Sequence, residues 1–205
     1  ADGNKATLTL SFAYPGYVSD GVTVTFENLN FANANFRRTY NSAQGTGSLS
    51  FKKCTGSLSI GSGDISAITM NYSQLGGNIS ATNSLTMNAS TFRGQFSTKD
   101  FIANGDCTIS CERNAPSRIT GSVSTQKAVK LVAFSNAEAG AKLLEFPKNS
   151  NSTVASSFAL DDTTGAYGIV YSKQYNGDYL CLAQRIENVK IAVGNEPAIN
   201  HVPGD

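Results

Sequence analysis

The chain has 205 residues, a net charge of +1 and 15% charged residues, whereas typical soluble domains carry roughly 25% charged residues. So weak a net charge argues against nucleic acid or an anionic membrane as a partner. No run of about 18 apolar residues is present, which argues against a transmembrane helix. Eleven Phe and eight Tyr supply the apolar surface that a disordered chain lacks. We therefore expect one folded domain over residues 1–205, with a division near 114–117 as the alternative.

The first predicted strands alternate apolar and polar residues. In residues 6–14 the side chains of Leu8, Leu10 and Phe12 share one face, and residues 22–26 repeat the pattern. After Phe26 the apolar positions change parity. Such a slip predicts a β-bulge or a change of sheet.

The segment Gly45–Thr98 continues the alternation with very few charged residues. Its polar positions are Ser, Thr, Asn and Gln, which is typical of an extracellular β-protein. Thr46–Phe51 and Thr55–Ile60 are nearly identical, but the nine-residue period fails beyond them. We therefore interpret them as two similar strands and not as a solenoid repeat. Asn-x-Ser/Thr sequons begin at Asn71 and Asn88, among others, and chance explains them in so Asn- and Ser-rich a chain.

One helix is predicted over residues 135–146. Ser135 and Glu138 form a capping box, and Pro147 ends the segment. Further short strands precede and follow it, and residues 194–205 read as a C-terminal tail. About 11–12 short strands with one helix predict an all-β fold, either an antiparallel β-sandwich or a closed barrel.

Four cysteines in a chain of this composition suggest two disulfides: Cys54, Cys107, Cys111 and Cys181. On a strand, Cys107 and Cys111 share a face but lie roughly 13 Å apart, too far to bond each other. Cys54 and Cys181 would then each pair with one of them. Free buried thiols are the alternative.

No catalytic, cofactor-binding or metal-ligating residues are predicted. The single histidine, His201, lies in the tail, and none of the common hydrolase, zinc or nucleotide motifs occurs. Asp161–Gly165 reads as a hairpin turn because it lacks the spacing of a calcium loop. We therefore expect a protein that is not an enzyme, although an unrecognised secreted enzyme remains an alternative.

The composition favours a secreted or cell-surface protein with a structural or adhesive role, such as a pilus-type filament subunit (a fimbrium component) or an adhesin domain. The absence of an initiator Met at Ala1 is what a processed secreted chain would show. One alternative is a carbohydrate-binding module, for which Tyr17, Tyr40 and Tyr175 are candidate stacking residues. Another is a β-pore-forming toxin, whose membrane hairpin would come from Gly45–Thr98.

The expected partners are a protein, through self-association or a host surface, or a glycan. For self-assembly the first strand is the candidate for exchange, through Leu8, Leu10 and Phe12. A strand near a chain end can leave its own domain and add to the sheet of a neighbour.

Overall fold

The chain winds into a β-solenoid of about six turns, with 62% of it in strands and 4% in helix. This is seen in a computed structural model that describes residues 8–11, 16–38, 45–113, 115–186, 189–191 and 199–201. Most strand pairs are parallel and join residues one turn apart. The molecule is therefore a stack of rungs.

The described residues form nineteen strands and one 3₁₀ helix. In chain order the strands are β1 (Leu8–Ser11), β2 (Gly16–Val18), β3 (Thr23–Glu27), β4 (Leu29–Arg38), β5 (Ser48–Lys52), β6 (Thr55–Ile60), β7 (Ile65–Asn71), β8 (Gln74–Asn88), β9 (Thr91–Asn104), β10 (Thr108–Ser110), β11 (Ser117–Ile119), β12 (Val123–Thr125), β13 (Val129–Val132), β14 (Lys142–Phe146), β15 (Phe158–Leu160), β16 (Tyr167–Gln174), β17 (Gly177–Gln184), β18 (Val189–Ile191) and β19 (Ile199–His201). The 3₁₀ helix is Ser152–Ser157.

Two long parallel stretches of sheet run along the solenoid. Sheet A has the order β1-β4-β6-β8-β9-β10-β13-β15. Sheet B has the order β3-β5-β7-β8-β9-β12. The long strands β8 and β9 bend and contribute to both. Because β9 pairs with β10, β11 and β12, the strands on either side of residues 114–117 belong to the same sheet.

The predicted antiparallel sandwich or closed barrel is wrong. The chain is nearly all β, but its described antiparallel pairs are limited to β14–β17, β16–β17 and β18–β19. A two-residue apolar period shows that a strand has one buried face. It does not distinguish a strand of a sandwich from a rung of a solenoid, since both bury one face and expose the other.

Aromatic side chains fill the interior between the sheets. One cluster has ring centroids 5.4–6.2 Å apart and consists of Phe26, Phe31, Phe36 and Phe51. A second runs towards the C-terminal end through Phe92, Phe96, Phe101 and Phe158. Edge-to-face and offset-stacked rings add to the burial of apolar surface. In β3, β5 and most of β9 the rings alternate with outward polar residues, as predicted for these segments.

The chain turns from sheet B to the next rung of sheet A through residues in the left-handed conformation. Asn28, Lys53, Tyr72 and Ala89 have φ between 44° and 56°. Each N–H group donates to a carbonyl one turn further on, at 2.8–2.9 Å. These bonds offset the cost of the left-handed backbone. This corner is the physical reason for the change of parity after Phe26.

Two of the cysteines lie just after this corner and do not form the predicted disulfides. Cys54, Ser73, Ser90 and Cys107 occupy equivalent positions in four successive turns. The N–H group of Cys54 donates to Ser73 Oγ and that of Ser73 to Ser90 Oγ, both at 3.0 Å. With rungs about 4.8 Å apart, Cys54 and Cys107 lie roughly 14 Å from each other, beyond the reach of a disulfide. All four cysteines are free and buried.

The predicted helix at 135–146 is also wrong. Residues 135–141 form turns, and the rest is strand β14, which pairs with β11 and β17. Leu143, Leu144 and Phe146 are buried in this strand. The capping box is a local signal, and the burial of these three side chains between neighbouring strands outweighs it. The described helix is instead the 3₁₀ helix, capped by Asn151.

Candidate functional site

A groove of about 730 Å³ crosses the outer face of sheet A over β6, β8, β9 and β10. We call it the sheet A groove. The side chains that give it hydrogen-bonding capacity and charge are Gln74, Asn78, Arg93, Gln95 and Glu112.

Glycines with left-handed backbone shape the groove. Gly77 has φ of 103° and Gly94 has φ of 135°, in the middle of β8 and β9. A Cβ atom would lie 2.1 Å from the Leu58 carbonyl oxygen at Gly77, and 2.1 Å from the Gly77 carbonyl oxygen at Gly94. Only glycine fits where the backbones approach so closely. The strands bend at these positions.

Three amide side chains in the groove have no hydrogen-bond partner among the described residues: Gln74, Asn78 and Gln95. Asn78 and Gln95 are in register on the adjacent rungs β8 and β9. They contrast with Asn71, Asn88 and Asn104, whose amides bond one another at 2.7 Å near the corner. The groove amides therefore keep their donors and acceptors available to a ligand.

Arg93 lies in the same groove, on the outer face of β9. It forms no ion pair within the described part of the chain, where the ion pairs are Lys52–Glu27, Arg118–Glu145 and Lys127–Asp106. An adjoining cavity of about 400 Å³ shares Arg93, Ser110 and Glu112 with the groove and adds Arg113. Arg93 thus lines both cavities.

Neither Tyr17 nor Tyr175, two of the aromatic residues predicted to contact a ligand, lines the groove. Tyr17 on β2 is 59% exposed, and Tyr175 in the β16–β17 turn is 92% exposed, with Lys148 Nζ 5.2 Å from its ring centroid. Tyr40 lies outside the described residues. Of the strand-exchange candidates, Leu8 and Leu10 belong to β1, which pairs with β4, and Phe12 is outside the described residues. Strand exchange stays a prediction.

Two aspartate carboxylates accept hydrogen bonds from neighbouring residues of the chain. Bonds from the Thr164 hydroxyl and then from the Tyr167 N–H group hold the pKa of Asp162 below its ordinary value. Bonds from Ser122 do the same for the pKa of Asp100. The described residues contain no cluster of three or more His, Cys, Asp or Glu that could hold a metal ion. The Asp161–Gly165 segment forms a turn between β15 and β16.

The thiols of Cys111 and Cys181 are not activated. Burial, and secondarily the charge of Glu112, raises the pKa of Cys111 to about 12. Burial also raises the pKa of Cys181, against the opposing effect of Lys142. A thiol with a raised pKa is protonated at neutral pH and is a poor nucleophile.

Sequence reasoning missed the groove residues because it missed the solenoid repeat. Thr69–Ser73 (Thr-Met-Asn-Tyr-Ser) recurs as Thr86–Ser90 (Thr-Met-Asn-Ala-Ser), seventeen residues later. Gly77 and Gly94 have the same separation. This period marks one turn of the solenoid and would have placed Asn78 beside Gln95.

Comparison with known proteins gives no further indication of the site. No family model, no curated protein and no solved structure matches this chain. Within the described residues, no helix has the length and apolar character needed to span a membrane.

Proposed function

We propose that this protein is a carbohydrate-binding module and that an extended glycan binds in the sheet A groove. The observation that carries the proposal is the set of three unpartnered amides, Gln74, Asn78 and Gln95, on a groove of about 730 Å³. An amide side chain offers one acceptor and two donors. Sugar hydroxyl groups need the same combination, since each both donates and accepts.

The solenoid makes the groove suited to an elongated ligand. The groove crosses four consecutive rungs of sheet A, and parallel rungs are about 4.8 Å apart. Polar side chains therefore recur along it at a regular spacing fixed by the backbone. A rigid site loses little conformational entropy when it binds.

The groove favours binding over hydrolysis. Most glycosidases use two carboxyl groups that flank the scissile bond. Among the described residues that line the groove, Glu112 is the one carboxylate. The proposed function is therefore recognition without cleavage.

The predicted pilus-type and adhesive roles are not proposed again. They depended in part on two disulfides, and all four cysteines are free. Pairing of the first strand with the sheet of another subunit also stays a prediction. A secreted or cell-surface location stays a prediction.

A glycan array followed by titration calorimetry tests the proposal. The wild-type protein should bind at least one class of polysaccharide. Replacing both Asn78 and Gln95 by Ala should weaken that binding about thirtyfold, because two hydrogen bonds of about 1 kcal/mol each contribute about 2 kcal/mol. The matched control is Thr86→Ala, an outward residue of sheet B, which should bind like the wild type. Absence of binding across the array, or equal losses in the variant and the control, would contradict the proposal.

A further inference from the structure

We infer that the glycan is anionic and that Arg93 binds its carboxylate or sulfate group. This inference rests on the proposed function and names the class of ligand. The basis is that Arg93 lines two cavities and has no ion-pair partner among the described carboxylates.

The neighbours of Arg93 in the stack are small. Arg93 is in register with Gly76 on β8 and with Ser110 on β10. A Cβ atom at Gly76 would lie 2.6 Å from the Arg93 carbonyl oxygen, so this position excludes a side chain. The position paired with Arg93 on β8 therefore carries no side chain.

No described carboxylate lies within ion-pair distance of Arg93. The chain does pair other exposed cations, as in Lys52–Glu27 at 2.9 Å and Arg118–Glu145 at 3.4 Å. Glu112 lines the same groove, but it is not within ion-pair distance of Arg93, and Arg113 lines the adjoining cavity. The two cavities together thus present two guanidinium groups and one carboxylate. This balance of charge complements an anionic ligand.

The chemistry of arginine fits an oxyanion on a sugar. A guanidinium group presents a planar fork of N–H donors that binds a carboxylate or a similar oxyanion through two parallel hydrogen bonds. The unpartnered amides on either side of Arg93 would bind the neutral hydroxyls of the same chain. Binding would then depend on both kinds of contact.

Matched pairs of polymers separate the two contributions. The probes are polygalacturonate with its methyl ester, and dextran sulfate with dextran. Affinities are measured by titration calorimetry at low and at physiological salt for the wild type, Arg93→Gln and Arg93→Lys. The control is Arg118→Gln, which removes an exposed arginine outside the groove. Circular dichroism confirms that each variant is folded.

We expect the wild type to bind at least one charged polymer about tenfold more tightly than its neutral partner, since charge-assisted hydrogen bonds contribute about 1.5–3 kcal/mol. Arg93→Gln should abolish this preference, Arg93→Lys should keep part of it, and Arg118→Gln should keep all of it. The pair that shows the preference identifies carboxylate or sulfate. Equal binding of charged and neutral polymers, or a preference that survives Arg93→Gln, overturns the inference but leaves glycan binding standing. Absence of binding to any of the polymers and to the array overturns both.

Discussion

At the level of single residues, the cysteines act as small buried side chains of the solenoid interior. Cys54 Sγ contacts the Phe26 carbonyl oxygen and Cys107 Sγ the Met87 carbonyl oxygen, both at 3.4 Å. Ser73 Oγ donates to the Phe51 carbonyl oxygen in the equivalent way at 3.2 Å, whereas Ser90 Oγ donates to the Asn88 carbonyl oxygen, two residues back, at 2.8 Å. A protonated thiol donates weakly in the place of a hydroxyl. Cys54 and Cys107 thus fill positions that serine fills in the two turns between them.

The burial of another cysteine, Cys111, predicts a loss of stability at alkaline pH. In the folded state the pKa of Cys111 is raised to about 12 from its ordinary 9.0, so the unfolded chain releases this proton first. Stability should be unaffected below pH 9 and should then fall by up to about 1.4 kcal/mol per pH unit for this thiol as the pH rises towards 12. Urea unfolding at a series of pH values measures the slope.

The variant Cys111→Ala isolates the effect of the thiol. Tyr171, whose pKa is raised to about 12 mainly by burial, contributes alkaline lability in the same direction in both proteins. The variant should be less stable at neutral pH but should lose less stability above pH 9. Parallel slopes for the two proteins would show that the thiol is not held in its neutral form by the fold.

At the level of elements, the corner between sheets B and A stabilises successive turns. The Asn88 amide donates to Asn71 Oδ1 and its oxygen accepts from Asn104 Nδ2, each at 2.7 Å. Asn71 and Asn88 are also the first residues of two sequons. A glycan on Asn88 Nδ2 would compete with this asparagine ladder. The amides at these positions therefore link adjacent turns of the solenoid by hydrogen bonds.

Replacing Asn88 by Ala should destabilise the protein by about 1–3 kcal/mol, because it leaves two amide partners without their hydrogen bonds. The control is Asn78→Ala, which removes an amide without a described partner and should change stability by less than about 0.5 kcal/mol. Chemical denaturation measures both. Equal effects of the two substitutions would mean that the ladder adds nothing to stability.

The elements show why the strands were predictable and the fold was not. Alternation in residues 22–26 and 45–98 located strands correctly, and the change of parity after Phe26 located a corner. Parallel stacking depends on which residues meet one turn apart, and the unequal turn lengths obscure it: Leu49 meets Ile68 nineteen residues on, and Leu85 meets Phe101 sixteen residues on. The helix predicted from the capping box at Ser135 was wrong because of another long-range effect. Leu143 and Leu144 are buried by strands that are distant in sequence.

At the level of the whole molecule, the groove exists because the rungs are stacked in register. Gln74, Arg93 and Ser110 come from three different turns, and the pairing of β8, β9 and β10 brings them onto one surface. In an antiparallel sandwich the same residues would have different neighbours. The proposed function therefore depends directly on the parallel register.

Engineered cysteine pairs on the outer face of sheet B test this register most directly. Ser50 and Thr69 are partners on adjacent rungs, about 4.8 Å apart, within the Cα range of a disulfide. Ser50 and Thr86 are two rungs apart, roughly 9.6 Å, and beyond that range. Under mild oxidation, peptide mapping should find a cross-link in the Ser50→Cys/Thr69→Cys variant and none in Ser50→Cys/Thr86→Cys. A cross-link in the second variant but not in the first would contradict the solenoid.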